Sequence, residues 1–305
     1  MVSIVIVNWN SDGLLERCIR SLRNNAPGCQ IVIVDNASTD ASLDFCVEVE
    51  NIHILRNNNN IGFAAACNLG WKASTGAHVL FLNPDTEAYP DSIRSLEHVL
   101  IKDSSVWAAG GRLISPSGES AAYLRPFPTI WRVAREMLLI DEILPIDKRR
   151  SNAFNNSALP IDIDQPAAAC LMVSREALEK IGGFDEMFYP AWFEDVDLCR
   201  RIWNRGGRIQ YHPAACFLHH GGYTLKRLTN QTFLEIFHSN QIRYFQKHHG
   251  KQAASLVKTL SVCGLLLRSA ISLAYPLAPN ALRLASAKTF WNAAMRLLQS
   301  PGVHA

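Results

Sequence analysis

Four polar segments hold residue types able to bind or transfer something: Asn8-Trp9-Asn10, Asp35-Asn36-Ala37-Ser38-Thr39-Asp40, Asn57-Asn58-Asn59-Asn60 and Asn83-Pro84-Asp85-Thr86-Glu87. Each closes a short β-branched or apolar run. In Asp35, Asn36, Ser38 and Asp40, carboxylates, an amide and a hydroxyl can take hydrogen bonds from a base or a sugar, and burying Asp35 without a partner would be costly. Ser38 alone would also serve as a helix cap, and Asp40 suits a first helical turn. The Asn57–Asn60 run leads into Gly62 and Asn68 and can wall one side of the same pocket; its simpler reading is a turn and cap. Asp85, after the apolar Val79-Leu80-Phe81-Leu82, can hold a divalent cation against two phosphates, with Glu87 nearby. By itself Asn83-Pro84-Asp85 is equally a turn signal.

A second acidic cluster, Glu194-Asp195-Val196-Asp197, follows Tyr189-Pro190-Ala191-Trp192-Phe193 and precedes Leu198 and two arginines. On a helix, Leu198 and Ile202 share a buried stripe while one acid turns outward, where a carboxylate against a hydroxyl would act as a general base. Acids ahead of arginines also suit a solvated helix start. Late in the chain, His219-His220-Gly221-Gly222 follows a strand-like run; one histidine can approach a metal or a diphosphate, and the other fits packing.

Placing these groups requires a particular scaffold. Apolar runs at 3–7, 30–34, 52–55 and 78–82 alternate with helical periodicity at 13–24, 41–48 and 62–73, a rhythm that predicts a parallel sheet covered by helices. Such sheets gather ligands at the carboxyl ends of their strands, where the four polar segments fall. A strand is expected at 106–110. A helix near 129–140 leads into a basic, Asn-rich loop that would be a lid or an insertion. Strands at 167–173, 208–211 and 214–218 and helices at 174–181 and 193–205 follow, and beyond residue 232 helices are expected at 232–249, 253–273 and 281–299. Domains are drawn at 1–225 and 226–305.

The 305 residues, 48% hydrophobic and 19% charged, suffice for one large core or two joined ones and exclude disorder as the main state. The formal charge of +3 hides an acidic first 225 residues and a tail with ten Lys/Arg against the single acid Glu235. That tail is also apolar, which disfavours nucleic acid and favours an anionic membrane surface or a homo-oligomer face. Its uncharged stretch at 269–282 holds two prolines and falls short of a bilayer span. Eight dispersed cysteines are expected to be buried thiols, and the first run reads as a strand of a cytoplasmic domain, peripheral at most on the inner membrane's cytoplasmic face. No Gly-x-Gly-x-x-Gly turn, P-loop or Gly-x-Ser-x-Gly elbow is present, which sets aside dinucleotide-dependent oxidoreductase, P-loop kinase and serine hydrolase chemistry.

Together, Asn8-Trp9-Asn10, Asp35 to Asp40, Asn60-Ile61-Gly62-Phe63, Leu82-Asn83-Pro84-Asp85 and Phe193-Glu194-Asp195-Val196-Asp197-Leu198 resemble the inverting family 2 glycosyltransferases, in particular the bacterial rhamnosyltransferase-like members, over roughly residues 1–225. The resemblance implies an α/β GT-A fold and transfer of a hexose or rhamnose from a nucleotide-sugar donor to a saccharide or lipid-linked saccharide in cell-envelope polysaccharide synthesis. It also implies Mg²⁺ or Mn²⁺ at Asp85, with His220 as a further ligand. Donor-binding positions are then Asn8, Asp35, Asn36, Ser38, Asp40, Asn60, Gly62, Asn68 and Asn83. Asp195 matches the base, with Glu194 and Asp197 orienting it or meeting the acceptor. Asn83 stands where the family more often has a first acid, which removes one negative ligand. Two other functions use the same groups: a sugar- or nucleotide-binding module without turnover, and a metal-dependent nucleotidyltransferase.

Overall fold

The computed structural model describes residues 1–45, 52–121, 125–143, 159–221, 227–274 and 286–300. The chain divides into two compact units. The first comprises Met1–Phe127, Arg150–Pro190 and Glu194–Tyr223, and the second Pro128–Arg149, Ala191–Phe193 and Thr224–Ala305.

In the first unit the elements run β1 (Val2–Asn8), α1 (Gly13–Asn25), β2 (Gln30–Asp35), β3 (Ile52–Arg56), α2 (Phe63–Ala73), β4 (His78–Leu82), β5 (Thr86–Ala88), α3 (Ser92–Lys102), β6 (Val106–Ile114) and β7 (Ser120–Ala121). Two short helices of the second unit intervene, α4 (Ile130–Met137) and α5 (Ile140–Ile143). The first unit resumes with β8 (Ile161–Asp162), β9 (Cys170–Ser174), α6 (Arg175–Ile181), α7 (Glu194–Asn204) and β10 (Arg208–His219). The second ends with α8 (Asn230–Ala274) and α9 (Ala287–Gln299).

The sheet order is β3-β2-β1-β4-β9-β6-β10-β5, with β7 on β6 and β8 on β10. All seven residues of β1 are buried, as a strand covered on both faces requires. Alternate side chains face opposite layers. Ile4 and Ile6 join Leu15, Ile19 and Leu22 of α1 in one core, while Val5 and Val7 meet Ala66, Cys67 and Trp71 of α2 with Leu198 and Ile202 of α7 in the other. Helix α2 lies so close to β1 that a Cβ on Gly70 would stand 2.3 Å from Val5 Cγ1.

β1 to β4 are parallel as expected, but β9 runs antiparallel to both β4 and β6. An antiparallel strand begins where its neighbours end. The start of β9 therefore lies at the edge that holds the carboxyl ends of β1, β2, β4, β6 and β10. The expected strands at 208–211 and 214–218 are one strand with an irregularity between His212 and Cys216. Of the helix expected at 41–48, residues 41–45 form a turn and the rest lies outside the described residues, as do the Asn-rich loop after residue 143, Gly222 and Lys226.

In the second unit, Thr129 caps α4 by accepting from the Arg132 N–H at 3.2 Å. Gly250, at φ 86°, breaks α8 between the two helices expected there. Gly264 brings α8 against α4, since a Cβ there would lie 2.7 Å from Met137 Cβ. Arg268 donates to the carbonyls of Met137 (2.9 Å) and Glu136 (2.6 Å), Ser269 Oγ to that of Ala287 (2.9 Å) and Lys258 Nζ to that of Ser300 (2.9 Å). The segment Ala191–Phe193 holds Trp192 and Phe193 at positive φ, and Asn240 Nδ2 pins it by donating to the carbonyls of Ala191 (2.8 Å) and Trp192 (3.1 Å). Among the described residues the cysteines are thiols, but not uniformly buried: Cys18, Cys67, Cys170 and Cys199 are, Cys29 and Cys216 are partly so, and Cys263 is exposed.

Candidate active site

Because β1 and β2 are adjacent and in register from Ser3–Gln30 to Asn8–Asp35, their terminal residues meet side by side. Buried Asn8 is the hub. Its Nδ2 donates to Asp35 Oδ1 (2.9 Å), Ser38 Oγ (3.0 Å) and Ser42 Oγ (2.9 Å), and its Oδ1 accepts from Ser11 Oγ. Asp35 also accepts from the Ser38 hydroxyl (2.6 Å) and N–H (3.2 Å), so its buried charge is met by three donor groups. Asn36 Nδ2 donates to the Gly62 carbonyl (3.2 Å), and Asn57 Nδ2 to Asn36 Oδ1 (2.9 Å), which ties the third polar segment to the second. Asn10, Asp12 and Ala37 all take positive φ in these loops, backbone strain of the kind found where a loop is shaped for a ligand.

Asp40 accepts from the Asp12 N–H (2.7 Å) and from Ser42 Oγ (2.6 Å). Burial pushes its pKa up, but these hydrogen bonds outweigh it and hold the carboxyl below its usual range. Asn60 Oδ1 accepts from the Gly62 N–H at 2.9 Å. Gly62 itself, at φ 88°, allows the Tyr189 ring an approach that a Cβ would block at 2.8 Å. The Asn68 amide donates to the Phe184 carbonyl (2.9 Å) and Glu186 Oε1 (2.8 Å), and its oxygen accepts from Phe184 N (2.9 Å) and Trp71 Nε1 (3.1 Å). These bonds brace α2, which carries Asn68, against the segment at 184–186.

Asp85 and Asn83 follow β4, and β5 pairs with the end of β10 so that His219 lies opposite Thr86. His219 Nε2 stands 3.4 Å from Asp85 Oδ1, whereas His220 Nε2 is 2.7 Å from Glu87 Oε1. The histidine beside the candidate metal carboxylate is therefore His219, whereas His220, expected as a ligand with Asp85, pairs with Glu87. His219 shares the face of the fully buried Ala215 and Phe217, but Cys216 and Leu218 make the His220 face equally apolar in sequence, so alternation alone did not choose between them. Asp85 is buried and its Oδ1 has no hydrogen-bond partner, which a cation would relieve. The carboxylate suits Mn²⁺ or Mg²⁺, and an imidazole beside it favours the transition metal over Mg²⁺. No group of three potential ligand side chains occurs among the described residues.

The acids at the start of α7 differ in role. Asp197 is fully buried and pairs with Arg201 Nε at 2.7 Å, while Arg201 Nη1 donates to the Ile181 carbonyl. An internal ion pair one turn apart holds it in place next to Asp195 and Glu194 on the first turn of α7. Asp195 accepts from the N–H groups of Val196 (2.8 Å) and Ala168 (3.3 Å). Burial raises its pKa, and these hydrogen bonds with the charge of Arg125 limit the rise. Glu194 is buried with Oε2 lacking a partner; burial first, and then the charge of Asp195, push its pKa well above the ordinary carboxyl value.

One tie joins these acids. Asn83 N donates to the Ala169 carbonyl at 3.1 Å, and the Ala168 N–H reaches Asp195, so adjacent residues before β9 link the end of β4 to the start of α7. Neither this link nor Arg125, which pairs with Gln165 in an isolated bridge, carries a signal in the sequence. The assembled edge offers a polar nest, a carboxylate–imidazole pair and a carboxylate of raised pKa.

Comparison with known proteins gives this edge a family. The model described as glycosyl transferase family 2 matches residues 3–182, and that of the N-terminal domain of galactosyltransferase matches 148–228. The chain is 27% identical over 280 residues to the N-acetylglucosaminyl-diphospho-decaprenol L-rhamnosyltransferase of Mycobacterium tuberculosis, covering 85% of this chain and 89% of that protein. It is 20% identical over 246 residues to the rhamnosyltransferase WbbL of Escherichia coli, covering 76% and 88%. Among solved structures, the mannosyltransferase PcManGT of Pyrobaculum calidifontis, in complex with GDP-Man and Mn²⁺, superposes with a TM-score of 0.57 at 16% identity over 98% of this chain and 87% of that one. The GT-A expectation for the fold holds.

Proposed function

The chain belongs to glycosyl transferase family 2, and from that premise we propose that it transfers rhamnose, with inversion, from a nucleoside-diphosphate donor to a lipid-linked saccharide. The observation that carries the reading is the Asn83–Ala169 and Ala168–Asp195 tie, which couples the strand end leading into Asp85 to the acid able to take a proton. The named activities of the mycobacterial and Escherichia coli relatives support rhamnose and, for the first, a lipid diphosphate acceptor.

In this mechanism the nest of Asp35, Asn36, Ser38 and Asp40, organised by Asn8 and bounded by Asn60 and Gly62, receives the nucleoside. Asn83 and Asp85 face the diphosphate. Asp85 and His219 would hold Mn²⁺ or Mg²⁺, which when bound neutralises charge on the departing diphosphate. Asp195 takes the proton of the acceptor hydroxyl as that oxygen attacks the anomeric carbon from the face opposite the leaving group. The carbon–oxygen bond to the diphosphate breaks, the nucleoside diphosphate leaves, and one attack gives an inverted centre. Glu194, whose carboxyl burial and then the charge of Asp195 push up, holds its proton more tightly than an ordinary carboxyl, which lessens the negative charge beside the base.

The test is a donor screen with the purified protein, Mn²⁺ and a polyprenyl-diphosphate N-acetylglucosamine acceptor, read by mass spectrometry. A deoxyhexosyl adduct with inverted configuration is expected from a dTDP-linked rhamnose donor. Donor binding without any adduct would instead identify a binding module, and diphosphate release from a nucleoside triphosphate a nucleotidyltransferase.

A further inference from the structure

We propose that the second unit docks in the plane of an anionic lipid surface through the outer faces of α9 and of α8 beyond Gly250. From Leu256 the exposed or half-exposed face of α8 continues through Leu260, Cys263, Leu267, Ala270 and Ala274, at alternating spacings of four and three that keep it within one narrow stripe. The opposite face, including Ala254, Val257, Ser261 and Leu265, is buried. Leu273 beside the stripe is 74% exposed. On α9, Trp291, Met295 and Leu298 recur at the same spacing, with Trp291 and Leu298 each 52% exposed, while Phe290, Ala293, Ala294 and Leu297 are buried. Exposed apolar residues scattered singly need no explanation, but two continuous stripes in one unit do.

Charge identifies the occupant. Neither α9 nor α8 beyond Gly250 contains an acid, and Lys251, Lys288 and Arg296 are exposed. Apolar stripes on helices without an acid, with Lys288 one turn before Trp291 on the same side of α9, match an interface of acyl chains below anionic headgroups, and tryptophan suits that boundary. A second copy of this face would bring the same bases together without an acid to pair them. The helix is long and apolar enough to cross a bilayer. One of its faces is nevertheless covered within the unit, and Lys258 and Arg268 are tied to backbone carbonyls there, so it lies along the surface.

Docking names a partner for the proposed lipid-linked chemistry and rests on that reading only for its purpose. Binding is measured without donor or acceptor, so its failure is distinguishable from failure of the transfer reaction. The full chain is floated with extruded vesicles of phosphatidylcholine alone or with about 30 mol % phosphatidylglycerol. It is expected to float with the anionic vesicles, to bind neutral ones at least tenfold more weakly, and to be released by alkaline carbonate. The double variant Lys288→Ala/Arg296→Ala should bind roughly 30-fold more weakly, about fivefold per basic residue near the surface. Leu267→Ser/Leu273→Ser should lose at least tenfold with an unchanged circular dichroism spectrum. No flotation with anionic vesicles, equal flotation with neutral ones, or resistance to carbonate extraction would overturn the proposal. So would a dimer in light scattering that Leu267→Ser/Leu273→Ser dissociates without any change in flotation.

Discussion

Asp195→Asn separates chemistry from architecture because the change is isosteric and its structural effects are small. Both carboxylate oxygens accept backbone N–H groups, Val196 at 2.8 Å and Ala168 at 3.3 Å. The carboxamide has one acceptor oxygen. It keeps the shorter bond and turns its NH₂ toward Ala168, losing a long hydrogen bond worth about 1–2 kcal/mol. Removing a charge that burial disfavours offsets part of this loss, so stability should change by no more than about 1 kcal/mol. Loss of a general base lowers turnover by about 10²–10⁴, or roughly 3–5 kcal/mol of activation free energy. Initial rates of nucleoside diphosphate release across pH, alongside urea unfolding, read both quantities. Wild-type kcat/KM should fall on the acid side with an apparent pKa above 3.8, because burial raises this carboxyl, and the variant should lack that limb. A folded Asp195→Asn protein within tenfold of wild-type turnover, with the acid limb intact, would place the base elsewhere.

His219→Ala should raise the Mn²⁺ concentration needed for half-maximal donor binding at least tenfold, while His220→Ala, which breaks a pairing with Glu87, should change it less than threefold; titration calorimetry would expose the opposite order. Glu194→Gln tests linkage. The folded pKa lies above the ordinary 4.5, so between 4.5 and that raised value the folded state binds more protons than the unfolded state. Wild-type stability therefore falls as pH rises from about 4.5, by up to about 1.4 kcal/mol per unit for this group, and the variant's urea-unfolding profile should be flatter and higher at neutral pH. Gly70→Ala should destabilise the sheet unit by about 1–3 kcal/mol despite alanine's better helix propensity, since its Cβ would meet Val5 and Val34; an unchanged unfolding midpoint would show that α2 can shift.

The alternation of apolar runs with helical periods was legible because a strand covered on both faces must be continuously apolar and a covering helix must repeat every three to four residues. Val2–Asn8, Gln30–Asp35 and His78–Leu82 each took the place their composition required. The polar ends of these strands were legible for the same reason, since the next residue after such a run leaves the core. Gly250 was legible too, as a gap in the tail's periodicity. Less visible was the direction of β9, because a short buried run such as Cys170–Ser174 has the same pattern in either orientation.

That direction decided much of the candidate site. By beginning where β4 ends, β9 sets Ala168 and Ala169 between Asn83 and Asp195, residues separated by more than a hundred positions. Asp197 and Asn68 show the complementary limit, since a polar residue in a motif reads the same whether it meets a ligand or an internal partner: Arg201 stood one helical turn away in the sequence but only burial showed the pair to be internal, and Phe184 reached Asn68 only on folding. The choice between His219 and His220 required the β5–β10 pairing. The sequence by itself determined which residue types stand at the strand ends and the class of chemistry they can perform. The tertiary structure alone decided which of them are already occupied by one another and which, like Asp85 and Glu194, are buried with an oxygen unpartnered, because hydrogen-bond satisfaction depends on neighbours distant in the chain.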